Sequence, residues 1–171
     1  MALISLKTSD RVGLISDLAA RLNDLGVNLG DAGFAVLGST ADFSSLAEVP
    51  DDVTLAQVRD ALISLGGIDA DELSVTPQGG SAAKPPETAI THCLTVSGRD
   101  RPGLVARLCE VLVEFKANIV QMNASTFHHA DGDRYAVRFE VYLPPERAAV
   151  ALAALANTAE QMGLDWESEA L

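Results

Sequence analysis

The sequence predicts an α+β protein built from two copies of one small domain. Each copy reads βαββαβ and folds as an antiparallel four-stranded sheet with both helices on one face. Three observations predict this. The 171-residue chain repeats itself at a spacing of 90: Asp10, Arg11, Gly13, Leu14, Leu18, Leu22 and Asn28 fall on Asp100, Arg101, Gly103, Leu104, Leu108, Leu112 and Asn118 without a gap. Alternating apolar runs and leucines at helical spacing follow one another in the same order in both halves. Glycines and prolines fall between those segments, where turns are needed.

Taken in order, the first half opens with a strand near Ala2 to Lys7. Leu14, Leu18, Leu22 and Leu25 then mark one face of a helix that Gly26 stops. A strand from Val27 to Leu37, a turn at Gly38-Ser39-Thr40 and a strand from Asp42 to Glu48 come next. Leu55, Val58, Leu62 and Leu65 give the second helix its apolar face, Gly66-Gly67 ends it, and Glu72 to Thr76 is the last strand. In the second half, Ala89 to Ser97 is the first strand, and Leu104, Leu108, Leu112 and Phe115 form the helix face. Asn118 to His128 and the alternating Tyr135, Val137, Phe139, Val141 and Leu143 make a hairpin around Asp131-Gly132. Pro144-Pro145-Glu146 starts a helix with Leu152, Leu155, Ala159 and Met162 inward, and Leu164 to Glu169 closes the chain. The expected boundaries are 1–76 for the first copy, 77–88 for a linker rich in Pro, Gly and Ser, and 89–171 for the second copy.

Composition narrows the function classes. Aromatics are 5% of residues, so the cores must be aliphatic. The net charge of -12, with basic residues scattered singly, opposes direct binding to nucleic acid. Cys93 and Cys109 lack metal-ligand spacing and read as small, partly buried thiols. The N-terminus has no signal-peptide pattern, and the apolar run Ala148 to Ala156 is far short of a membrane span. The expectation is a cytoplasmic protein.

The repeated stretch carries the chemistry. A strand, then Asp100-Arg101-Pro102-Gly103-Leu104, then a leucine-faced helix and Ala117-Asn118-Ile119 resembles the ACT domain. The first copy carries Asp10-Arg11-Val12-Gly13-Leu14 and Val27-Asn28-Leu29. The resemblance implies two ferredoxin-like (ACT) domains. Two of them without an attached catalytic domain resemble the glycine cleavage system transcriptional repressors. It implies a non-catalytic regulator, without cofactor or metal, that binds a small amino acid where the turn of one copy meets another copy. Glycine is the candidate ligand. It further implies a homodimer and a protein partner such as a transcription activator.

Carried onto this chain, the ligand-binding positions are Asp10, Gly13 and Asn28 in the first copy and Asp100, Gly103 and Asn118 in the second. The chemistry fits a zwitterion. The N–H groups of Gly103 and Leu104 at the positive helix end face a carboxylate. Asp100 or the Asn118 carbonyl accepts from the ammonium. Pro102 suits a first helical turn. The competing reading is that the Asp residues cap helices and the Asn residues bond neighbouring loops. The first copy has Val12 in place of proline, and Thr8 and Gly98 stand where some family members carry a ligand-contacting His.

Other side chains are weighed the same way. Arg11 and Arg101 either clamp a ligand or stay solvated, and His128, His129, Asp131 and Asp133 form a weak metal-binding candidate, since adjacent strand residues face opposite ways. An Arg in the first turn with an Asn on the next strand is similar to acylphosphatases, with Arg101 holding phosphate and Asn118 orienting water, although their longer glycine-rich cradle is missing. A ligand-independent interaction module is the remaining alternative.

Overall fold

The computed structural model describes residues 1–79, 86–128 and 132–171. The chain divides into two compact units, Met1–Ser81 and Ala82–Leu171. The first contains β1 (Ala2–Ser9), α1 (Leu14–Asp24), β2 (Asn28–Leu37), β3 (Thr40–Glu48), α2 (Leu55–Ile63) and β4 (Leu73–Pro77). The second contains a 3-10 turn at Pro86–Thr88, then β5 (His92–Arg99), α3 (Leu104–Glu114), β6 (Asn118–Phe127), β7 (Arg134–Tyr142), α4 (Ala148–Gln161) and β8 (Asp165–Ala170). Each unit is βαββαβ, as the repeat predicts.

The sheets run β2-β3-β1-β4 and β6-β7-β5-β8, every neighbouring pair antiparallel. One face of each sheet is apolar because strand side chains alternate. Ile4 and Leu6 on β1 and Ala41, Phe43 and Ala47 on β3 are buried with Leu14, Leu18 and Leu22 of α1 and Val58 and Leu62 of α2. Leu94, Val96, Val137, Phe139 and Val141 meet Leu104, Leu108 and Leu112 of α3 and Ala151, Leu155 and Ala159 of α4 in the second core. Trp166 packs against that second core. Ser45 is buried on the core face of β3, where its hydroxyl donates to the Leu46 carbonyl at 2.9 Å.

Three expectations shift in detail. Leu25 and Phe115 are helix C-caps, half-buried at the core margin. The last helix begins at Ala148, after the Pro144-Pro145-Glu146 stretch, and Ala151 is buried with Leu155 and Ala159 while Leu152 is only partly buried. Pairing also reaches into the stretch expected as a linker, since β4 continues to Pro77 and the Gln78 N–H donates to the Met1 carbonyl at 3.0 Å. Gly80 to Pro85 of that stretch lie outside the described residues.

Candidate functional site

The repeated turn is built identically in both units. β1 ends at Ser9 and β5 at Arg99, and Gly13 and Gly103 serve as helix N-caps with φ of 85° each. That left-handed conformation is what demands glycine, since a Cβ at either position would meet nothing within 4 Å. Pro102 therefore lies just before the N-cap, outside the helix, which corrects the sequence-based placement in the first turn. Neither helix has a side-chain cap, so Asp10 and Asp100 are not capping residues.

The donor set differs from the expected one. The Leu104 N–H bonds the Arg101 carbonyl at 3.3 Å and the Leu14 N–H bonds that of Arg11 at 3.2 Å, so both are spent inside the turn. Intrahelical bonding resumes at Arg107, whose N–H reaches the Gly103 carbonyl at 3.0 Å. The N–H groups of Gly103, Val105 and Ala106 have no backbone acceptor among the described residues. Gly13, Ile15 and Ser16 repeat this arrangement. The carboxylates of Asp10 and Asp100 are exposed and make no hydrogen bond or ion pair among the described residues.

The arginines separate the copies. Arg11 is held by Asp17 at 2.7 Å. The position equivalent to Asp17 is Arg107, which pairs with Glu110 at 2.8 Å, so Arg101 keeps its charge unpaired among the described residues.

Asn28 and Asn118 do not join their own turns. Asn118 faces Tyr142 at one end of β7, while the Asp100 N–H bonds the Asp133 carbonyl at 3.4 Å beyond the other end. A strand of that length spans about 27 Å. Asn28 is likewise opposite Glu48, whereas Asp10 lies beside Ser39. The six candidate residues thus fall into Asp–Gly turns at one end of each sheet and asparagines at the other. The Asn118 amide donates to the Glu87 carbonyl at 2.7 Å and that of Asn28 to Glu48 at 3.3 Å, which leaves each Asn oxygen as an acceptor. The same separation takes Arg101 away from Asn118 and removes the acylphosphatase-like pair.

At the positions of the missing His, the Thr8 hydroxyl donates to the Gly67 carbonyl at 2.8 Å. A Cβ on Gly98 would sit 2.5 Å from Leu164 Cδ2, so a side chain there requires Leu164 to shift. At this end of each sheet lies a cavity. One of about 370 Å³ includes Gly98, Arg99, Arg134, Gly163 and Asp165 in its walls. The corresponding one of about 320 Å³ includes Thr8, Ser9, Thr40, Gly67 and Asp69.

His128 Nδ1 lies 2.8 Å from Asp133 Oδ1, and the hydrogen bond and charge of Asp133 hold the imidazole above its ordinary pKa. His129 and Asp131, the other members of the metal candidate, lie outside the described residues. No group of three His, Cys, Asp or Glu that could hold a metal occurs among the described residues. Both cysteines are free; Cys93 is buried, and burial pushes the Cys109 thiol up. No described helix is long and apolar enough to cross a membrane.

Topology and repeated turns define two ferredoxin-like units in tandem. Residues 92–169 match the model of the ACT domain family, and the first half of the chain has the same topology as the second. Among solved structures, an unknown protein from Galdieria sulphuraria is 25% identical with a TM-score of 0.78, covering 99% of this chain and 97% of its own. A protein described as a candidate glycine cleavage system transcriptional repressor shares the fold at 11% identity and a TM-score of 0.65, covering 99% of this chain and 96% of its own. No curated protein matches the sequence.

Proposed function

We propose that this protein is a non-catalytic regulator that senses a small amino acid and passes the signal to a protein partner. The observation that carries the reading is the Asp100 turn. It pairs unspent helix-terminal N–H donors with an unspent carboxylate, as the two charged ends of an amino acid require. Arg101, unpaired among the described residues, makes the second copy the stronger binder. Glycine is the first ligand to test, and the fold shared with a candidate glycine cleavage repressor supports it. A transcription activator is the partner proposed.

The split between turn and asparagine supports a homodimer. β2 and β6 are sheet edges. Met122 is directly opposite Phe139 on the helix side of the sheet, yet it is 45% exposed while Phe139 is 1% exposed. Phe34, opposite Phe43, repeats this at 45%. The helices leave an apolar shelf along each edge. If β6 pairs antiparallel with β6 of a second molecule, Asn118 of one molecule arrives at the turn end of the other, and the shelves are covered. Calorimetry of the folded protein against the twenty amino acids is the test. Binding of one of them that is abolished by Asp100→Ala supports the reading. Silence with all twenty removes the ligand and leaves a constitutive interaction module, working in the cytoplasm.

A further inference from the structure

We propose that the end of the second sheet holds a separate oxyanion site, formed by Arg99 and Arg134 and suited to a single carboxylate or phosphate group. Its two arginines are not among the residues of the amino-acid reading: their side chains leave the sheet on the face away from the helices, and the cavity they line opens at the sheet end, where it also includes Gly98 and Gly163. Leu94, Val96 and Gly98 point toward the helices and are buried, so Arg99 projects from the opposite face. β5 and β7 pair with Arg99 directly across from Arg134. One residue further out, the Asp100 N–H bonds the Asp133 carbonyl, which makes Arg99 and Arg134 the non-hydrogen-bonded pair of the ladder. Side chains approach most closely in such pairs, and like charges there repel.

Nothing described offsets that repulsion. Arg138 on the same face reaches Glu140 at 3.6 Å, but neither Arg99 nor Arg134 has an ion pair among the described residues. The chain carries 24 acidic and 12 basic residues, yet among the described residues none forms an ion pair with either arginine. Both arginines line the cavity of about 370 Å³. Two guanidiniums there offer forked donors to one group of oxygens. The other walls set the limit of charge. Asp133 is turned to His128, while Asp165 remains as a carboxylate that repels a polyanion. The first copy makes the contrast: its equivalent pair is Ser9 opposite Thr40, neutral and without need of an anion.

That neutral pair also supplies the test. The double variant Arg99→Ser, Arg134→Thr copies a pairing the fold already carries. Thermal melts would be run at fixed ionic strength in chloride, then with inorganic phosphate or with acetate. The expected result is that the variant melts higher than the wild type in chloride. Phosphate or acetate should raise the wild type by several degrees, saturably, and leave the variant unmoved. A response to acetate alone assigns the site to carboxylates, and one to phosphate alone assigns it to phosphates. Equal responses of wild type and variant, or none in either, would overturn the proposal, and neither outcome touches glycine binding at Asp100.

Discussion

At the scale of single residues, three positions are held by different physics. Gly103 needs its left-handed backbone and not its small volume, since open space surrounds it. Gly103→Ala should therefore cost about 1 kcal/mol in a denaturant melt, all of it backbone strain. Gly98 is the reverse case, crowded by Leu164 Cδ2 at 2.5 Å and Leu164 Cα at 3.4 Å. Gly98→Ala should lose about 1–3 kcal/mol through overpacking. A cycle with Leu164→Ala should show strong coupling, because the smaller side chain removes the closest contact. Effects that simply add would refute that account. His128 tests electrostatics. Its raised folded pKa means the ion pair supports folding below the unfolded value near 6.5 and stops doing so as pH climbs through the folded value. The pair is exposed, so the stability effect is small, but proton NMR should record the His128 titration above the ordinary value and its return toward that value in Asp133→Asn.

At the scale of elements, the two copies solve the same problem with different residues, and this predicts an improvement. α1 ends in a Schellman arrangement, Val27 N–H to the Leu22 carbonyl at 3.0 Å and Gly26 N–H to that of Asn23 at 2.8 Å, with Gly26 at φ 70°. α3 ends in the same bonds, Ala117 to Leu112 at 2.9 Å and Lys116 to Val113 at 3.0 Å, but Lys116 holds φ 57°. Lys116→Gly should stabilise the second unit by roughly 0.5–1 kcal/mol, read from the midpoint of a urea melt. Element order was legible in the sequence because leucines at helical spacing and alternating strands leave a periodic trace. Leu108 and Phe139 illustrate it, one residue at the centre of each pattern and both buried. The site was legible only in its parts. The repeat and the family resemblance named Asp100, Gly103 and Asn118 but carry no information on which end of a sheet a residue occupies, which depends on pairing across the chain. The spent Leu104 N–H was equally hidden, since it follows from the φ of Gly103. Arg99 and Arg134 are 35 positions apart, and only register makes them neighbours.

At the scale of the whole molecule, the proposed site is completed only if the sheet edges pair between two molecules. β6 leaves Val120, Met122 and Phe127 more than a third exposed, and β2 does the same with Phe34, Val36 and Leu37. An apolar edge of this length invites pairing, and natural edges that stay single are usually blunted by charge. Phe34→Lys with Met122→Lys adds that charge on the shelf beside each edge, where the native side chains are nearly half exposed. Little core packing is lost, so the melting temperature of the separated chains should stay within a few degrees. Light scattering should then find the wild type at twice the chain mass of 17.9 kDa and the variant at that single mass. Amino-acid affinity should fall in parallel, because Asn118 and the Asp100 turn can meet only across a pair. A variant that becomes monomeric and still binds with wild-type affinity would place the whole site within one chain, and Asn118 would then have no part in it.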